Sequence, residues 1–484
     1  MAATSTAPAS GAGGVLERYF HLRERGSSIG AEVRGGVTTF IVMAYILVVN
    51  PVILSTLTRG QGPDFAATAT MTALAAGVCT LAMGLYANYP FALASGLGLN
   101  AVVAFDLILG RGLAWQAAMG VIFIEGLVIA GLVLTGFREA VMMAIPMNLK
   151  RAIGVGIGLF ILFIGLVNAG FVRVPVETIP IVNGQAAGQP QPPVTLGNLT
   201  GWPIFVSVFG LFLTALLLAR RVRGALLIGI LVTTAVAIAI HYGTGADVSA
   251  APGVQGGLPD QLAPVSFATL GAGLNFGVFQ TLGLVTAVLV IFSLMLSDFF
   301  DTMGTVIGIG DEAGWLDAQG QLPGIRRVLL VDGLSAAVGG FCSCSSVTAY
   351  IESGAGVADG ARTGLASVVT GLLFLAAILL APLAGVVPAE ATAPALILVG
   401  FFMAGVLREI DFSSFDEGLP ALLTLAAMPF TFSITDGIGA GFVMYSFLKL
   451  VRGRGREVHW MMYIVSAAFL LYFATGLLRS WFGI

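Results

Sequence analysis

Apolar residues in this chain neither alternate with polar ones nor mark out one stripe of a helix. They run in blocks of roughly seventeen to twenty-five residues, the length of a helix that crosses about 30 Å of hydrocarbon. Strands of a membrane barrel would alternate apolar and polar positions, so helices are the predicted element. The blocks fall at 36–57, 66–87, 92–109, 115–135, 148–170, 201–219, 223–242, 285–309, 325–341, 343–358, 363–382, 391–408, 418–434 and 437–452. These make fourteen predicted spans. A further apolar stretch, 459–480, is either one more crossing or a helix lying along the membrane surface.

Basic residues orient the spans. With the N-terminus in the cytoplasm, only Arg59, Arg111 and Arg173 of the 22 Lys and Arg fall outside. Arg479 follows the unassigned stretch, and all the others, Arg138 among them, fall inside. Merging 418–452 into one span would place the basic cluster Lys449, Arg452, Arg454 and Arg456 outside, so two spans are preferred.

Composition agrees with this reading. The 484 residues are 57% hydrophobic and 10% charged, against roughly 25% charged in a soluble protein. The net charge of −3 decides little. Cys342-Ser343-Cys344 is too tight for an easy disulfide and lacks the partners of a zinc site, so these residues and Cys79 are read as small buried side chains. "MAATSTAPASGAGG" has no apolar stretch before a cleavage site and is read as a disordered tail, not a signal peptide. "GVGIGLF" (154–160) lies inside a span and reads as helix packing, not nucleotide binding. No metal, cofactor or nucleic acid is expected.

The two halves of the chain resemble each other. Spans 6 and 7 are joined by a short link, as are 13 and 14, and spans 3 and 10 both open on small and polar residues. Seven spans is an odd number, so a 7+7 repeat must be inverted across the membrane, the pattern of secondary transporters. Span 3 opens "FALASGLGLNAVVAF" and span 10 "CSCSSVTAYIESGAGV". Neither has the apolar length of a full crossing. Each is predicted to be a short extended piece followed by a half-helix, with the two extended pieces pairing at mid-membrane. Ser345, Ser346 and Thr348 are N-cap types. As a helical run, Ser345, Thr348 and Glu352 would share one face. Asn100 falls in the first turn of the other half-helix. Asp298 and Asp301, one turn apart in "SDFFDTMGT", lie in an otherwise apolar span 8, where an ionisable group is a functional candidate.

Four motifs in order, "TTFIVMAYILVVNP" (38–51), "GLGLNA" (96–101), "DFFDTMGT" (298–305) and "VTAYIESGAGVADGARTGL" (347–365), resemble the nucleobase–cation symporter-2 family, most closely its adenine/guanine/hypoxanthine permease branch. The resemblance spans about residues 15–475. It implies an all-α polytopic membrane fold of fourteen spans, with a core domain that slides against a gate domain as an elevator. Residues 36–135 and 285–385 would be core, and 136–245 and 386–456 gate. A cytoplasmic tail (1–35), an outer loop (246–284) and a C-terminal apolar segment (457–484) complete the division. The family's site carboxylates match Asp301 and Glu352, and its span 3 contribution matches Gly98 and Asn100. Gly360-Ala361-Arg362 departs from the family's Gly-Gly-Arg, Leu97 stands where Met is usual, and "CSC" is not a family pattern. The resemblance implies import of a purine nucleobase with protons across the plasma (inner) membrane, and allows a homodimer through the gate domain.

A purine presents N–H donors, ring-nitrogen acceptors and two apolar faces. Glu352 and Asp301 can accept from its edges, Asn100 can donate or accept, and backbone N–H groups near Gly98 and Tyr350 can donate. Thr348 joins them on the substrate list. Phe299, Phe300 and Tyr350 are candidates for stacking. Asp301, Glu352 and Asp298 are the candidates for the coupled proton. Two rivals fare worse. An anion transporter of the related sulfate/bicarbonate group would meet two carboxylates and no site arginine. An intramembrane aspartyl protease, suggested by "GIGD" (308–311), would need two aspartates in contact on adjacent spans, whereas Asp301 and Asp311 are about 15 Å apart along one helix.

Overall fold

The computed structural model describes residues 14–135, 144–173, 181–182, 185–186, 194–249, 264–317 and 322–482. The tail 1–13, Arg138 and much of the outer loop lie outside the described residues. After a short helix, α1 (Val15–Phe20), the long helices are α2 (Ile29–Thr56), α3 (Phe65–Ala87), α5 (Trp115–Thr135), α6 (Met147–Asn168), α7 (Trp202–Ala219) and α8 (Ala225–Thr244). A one-turn α9 (Val278–Leu282) leads into α10 (Leu284–Glu312) and α11 (Ile325–Cys342). The second half closes with α13 (Gly364–Val386), α14 (Ala389–Glu409), α15 (Phe415–Thr431), α16 (Ile434–Val451) and α17 (Trp460–Phe482). The broken elements are strand β1 (Leu93–Ser95) with helix α4 (Leu97–Gly110), and a second strand (Val347–Ala349) with the six-residue α12 (Ser353–Ala358).

The predicted blocks recur as helices or broken elements with modest changes at their ends. Span 1 starts earlier than expected, because Ser28 accepts from Ala31 N at 3.3 Å and caps a helix beginning at Ile29. The segment before it is not a loose tail either. Tyr19 donates to Leu85 O at 2.8 Å and Arg25 to Asn88 O at 2.7 Å, which fastens α1 beneath α3. Buried Glu32 accepts from Arg362 N (2.8 Å), Thr363 N (3.1 Å) and Ala366 N (3.2 Å), supplying the orphan donors at the start of α13. Pro51 lies inside α2, and the ladder loosens to π-type over Val52–Thr56 just after it.

The helices pack in two groups. In the first, α5 lies on α11 and α10, and α13 lies on α2 and α3. In the second, α6 lies on α14 and α15, α7 on α8 and α14, and α15 on α16. The leftover apolar stretch joins the second group. α17 folds back antiparallel along α16, pairing Ser466 with Ser446 (2.7 Å) and Tyr472 with Asp436 (2.8 Å). From Ser446 to Asp436 is about 15 Å of helix. Phe469 packs edge-on against Phe442 between those two contacts.

Four two-residue strands not anticipated from sequence follow α6: β2 (Val172–Arg173), β3 (Ile181–Val182), β4 (Gln185–Ala186) and β5 (Thr195–Leu196). β2 pairs antiparallel with β5 and β3 with β4. The strand Val347–Ala349 is therefore β6.

Candidate functional site

The site begins with the pairing of β1 and β6. They run antiparallel with Leu93 opposite Ala349, Ala94 opposite Thr348 and Ser95 opposite Val347. All six residues are buried. Short extended segments at this depth must spend their backbone groups on each other. The pairing extends at both ends: Gly96 N donates to Ser346 O at 2.9 Å and Tyr350 N to Ala92 O at 3.0 Å. Tyr350 OH also donates to Ser95 O, and Ala92 N donates to Ser353 Oγ at 2.9 Å. Each strand then delivers the chain into a short helix.

Three expectations change at this point. Ser345, Thr348 and Glu352 do not share a helix face, because Ser345 has φ +70° and Thr348 is in a strand. None of the serine and threonine residues caps α12. Glu352 occupies that N-cap position with αR dihedrals and no capping bond from its side chain. The Tyr350 N–H is spent on Ala92 and is not offered to a substrate. The Thr348 hydroxyl is likewise turned inward, 2.6 Å from Thr302 Oγ1 and 3.4 Å from Asp332 Oδ1.

Asp332 explains that inward turn. It is buried on α11 and accepts from Thr302 Oγ1 (2.7 Å) and from Ala349 N (3.0 Å) as well as from Thr348. It thereby ties α10 and α11 to the end of β6 that leads to Glu352. The sequence reading passed over Asp332, which stands in a span opened by two arginines.

Glu352 and Asp301 are partly exposed, and the nearby phenols Tyr45 and Tyr350 are buried. Tyr45 OH donates to Glu352 Oε1 at 2.7 Å from the break in α2 between Met43 and Ile46. Among the described residues neither carboxylate forms an ion pair with Lys or Arg. Asp298, one turn from Asp301, has a different setting. It is fully buried, and its Oδ2 accepts from Ser346 Oγ at 3.2 Å behind the strand pair. Asn100 is fully buried beside the pair. Its Oδ1 lies 2.7 Å from Ser95 Oγ and its Nδ2 has no partner. Gly98 marks the boundary with the second helix group, since a Cβ there would meet Ile157 Cγ2 of α6 at 2.7 Å. Phe299 and Phe300 pack edge-on against each other at 5.5 Å.

A permease family model matches residues 30–440. The adenine permease AdeP of Escherichia coli (strain K12) is 41% identical over 95% of this chain and 96% of its own length. The guanine/hypoxanthine permease PbuG of Bacillus subtilis (strain 168) is 40% identical over 95% and 99%. The chain belongs to the nucleobase–cation symporter-2 family. It is thus a multi-pass membrane permease and not an enzyme, and the Asp311 of "GIGD" stands exposed near the end of α10.

The fold of this permease is also found in solved transporters of low sequence similarity. The transmembrane domain of the cyanobacterial bicarbonate transporter BicA superposes with a TM-score of 0.61 at 13% identity, covering 85% of this chain and 97% of that one. The murine anion transporter Slc26a9 gives 0.60 at 14%, covering 93% and 74%. At that identity the likeness concerns fold alone. The candidate site of this chain holds the carboxylates Asp301 and Glu352. Arg362, the nearest basic residue in sequence to Glu352, spends Nη1 on Val357 O (2.6 Å) and Ala361 O (2.7 Å) at the far end of α12.

Proposed function

We propose that this permease imports purine nucleobases together with protons by an elevator-type movement. The observation that carries the reading is the pair of partly exposed carboxylates beside the paired strands, Glu352 held by the buried Tyr45 hydroxyl at 2.7 Å and Asp301 one turn from the Asp298 that Ser346 binds. Relatives about 40% identical along nearly the whole chain, named for adenine and for guanine and hypoxanthine, support the substrate class. Glu352 accepts from purine N–H groups lying in the ring plane. Asp301 accepts from another edge, and the unpartnered end of the Asn100 amide serves the remaining polar atom. Tyr350 and Phe300 border the ring faces, while Thr348 and Asp298 hold the scaffold behind. Asp301 and Glu352 carry proton and substrate in turn.

In this reading the chain makes fourteen crossings in a 7+7 inverted repeat with its N-terminus in the cytoplasm of the plasma (inner) membrane, and α17 adds a further crossing. The first helix group, with α4 and α12, is the moving core, and the second is the gate, through which two copies dimerise. The bare glycine surface at Gly98 against Ile157 suits sliding between them. The fold shared with anion transporters favours no second substrate, because two carboxylates repel an anion.

The test is uptake of labelled hypoxanthine, guanine and adenine into cells lacking their own purine permeases, with and without a protonophore. Asp301→Asn and Glu352→Gln should each reduce concentrative uptake at least about tenfold, the equivalent of one lost charged hydrogen bond. Wild-type accumulation by both variants together would sink the site. Uptake that survived the protonophore but required sodium would sink the coupling ion.

A further inference from the structure

Glu125 stands in the middle of α5, a helix that contributes nothing to the pocket. Its side chain is 0% exposed, and neither Oε1 nor Oε2 has a hydrogen-bond partner among the described residues. The surroundings are tight. A Cβ on neighbouring Gly126 would meet Ala337 N of α11 at 2.2 Å, and one on Gly340 would meet Phe123 N of α5 at 2.5 Å. Backbone is pressed on backbone along this seam, so the carboxyl is held away from lipid and bulk water.

The groups that face it are also acidic. Asp332 stands on α11 and Asp298 on α10, the two helices against which α5 packs. α4, which also touches α5, brings Asp106, but Arg111 Nε holds that carboxylate at 2.8 Å. α9, "VFQTL", brings no titratable group. The three inner carboxyls are unequally supplied with donors. Asp332 accepts from Ala349 N and the Thr302 hydroxyl, Asp298 accepts from Ser346 at Oδ2 while its Oδ1 is buried without a partner among the described residues, and Glu125 has no donor there. An anion so buried, unpaired and close to another anion is strongly disfavoured. When the environments of neighbouring carboxyls differ this much, the proton resides on the group least able to bear charge.

We propose that Glu125 is a proton-binding site of this permease, behind the strand pair and separate from the Asp301–Glu352 pocket. Its carboxylate takes up one proton to become the neutral acid. It returns that proton to the Asp298 carboxylate when movement of the helices brings the two carboxyls within hydrogen-bond reach, so that one O–H bond breaks as the other forms. Asp298 stands one helical turn from Asp301 on α10, which packs against α5, and so links the buried site to the Asp301–Glu352 pair. This proposal rests on the proton-symport reading of the pocket, but the protonation state of Glu125 can be read without any purine.

The experiment uses the full-length protein, purified and reconstituted in proteoliposomes. Infrared difference spectra between pH 7 and high pH report protonated carboxyls directly. The wild type should show the carbonyl stretch of a protonated carboxyl that Glu125→Gln lacks. An unchanged band in Glu125→Gln overturns the proposal whatever the substrate. With labelled hypoxanthine and adenine as probes, Glu125→Gln should keep purine binding and purine-for-purine exchange. It should lose the accumulation, about tenfold per unit of imposed pH gradient, that a one-proton symporter sustains. Retained accumulation overturns the coupling role. If the wild type binds no purine while the band still depends on Glu125, the substrate reading falls and the proton site stands. Where Glu125→Gln does not fold, Glu125→Asp replaces it. A shifted band and a displaced pH profile of exchange support the site, and spectra and profile identical to the wild type overturn it.

Discussion

Arg111, at the end of α4, donates to the hydroxyl of Tyr472 on α17 at 3.0 Å. The same guanidinium reaches Ser433 Oγ at 3.3 Å, and Ser433 in turn donates to Asp106 at 3.1 Å while Tyr472 donates to Asp436 at 2.8 Å. One arginine thus fastens the first helix group to two helices of the second at one end of the molecule. Any sliding of one group past the other must undo these bonds. Arg111→Ala should loosen the junction, raising the labelling of a cysteine introduced at Ser433 several-fold and lowering the melting temperature. Tyr472→Phe, which removes both bonds of that hydroxyl, should cost about 1–3 kcal/mol. Thermal melts in detergent and maleimide labelling check both. Unchanged labelling in Arg111→Ala would mean that the junction does not hold the groups together.

Gly98 offers a sharper test of the boundary. A methyl there collides with Ile157 Cγ2, so Gly98→Ala should cost about 1–3 kcal/mol in stability or slow uptake correspondingly. The backbone N–H is untouched by this change. Gly98→Ala combined with Ile157→Ala should therefore recover much of the loss. Strict additivity in the double mutant would show that the side-chain clash is not the cause.

Asp332 holds the strand end that carries Tyr350 and Glu352. Asp332→Ala leaves Ala349 N and two threonine hydroxyls without their acceptor, at a cost of about 2–4 kcal/mol. Melting temperature and hypoxanthine binding should fall together. Intact binding with reduced stability would separate the scaffold from the pocket.

Tyr45→Phe removes the hydrogen bond to Glu352 while leaving the ring in its buried place. A bond to a charged acceptor is worth about 1.5–3 kcal/mol, so purine affinity should weaken roughly tenfold or more. Equilibrium binding of labelled adenine and hypoxanthine decides. An affinity equal to the wild type would remove Tyr45 from the site.

The long apolar helices were legible because an unbroken apolar block of that length has few alternatives; ten of those described are long and apolar enough to cross a membrane. The strand pair was legible for a related reason: two openings rich in small and polar residues cannot be stable helices on their own. What the sequence withheld was direction. Ser345, Thr348 and Glu352 look like one helix face until the chain is seen to be extended at Thr348. Asp298 and Asp301 look like a pair until one is fully buried behind the strands and the other is partly exposed. Glu125 and Asp332 escaped notice because an isolated acid in an apolar span acquires meaning only from the neighbours that supply or withhold donors.

The pairing of Ser95 with the opposite strand, whose Tyr350 lies 255 residues further along the chain, also has a consequence in time. At 5–20 residues per second, the ribosome needs roughly ten to fifty seconds to deliver the second strand after the first. Leu93 can bond Thr80 at once, but throughout that interval Gly96 N and Ala92 O lack Ser346 O and Tyr350 N, their partners in the folded chain. The binding site is therefore among the last parts of the molecule to form. Its maturation depends on something sheltering a polar edge in the bilayer during synthesis, whether neighbouring helices or the insertion machinery itself.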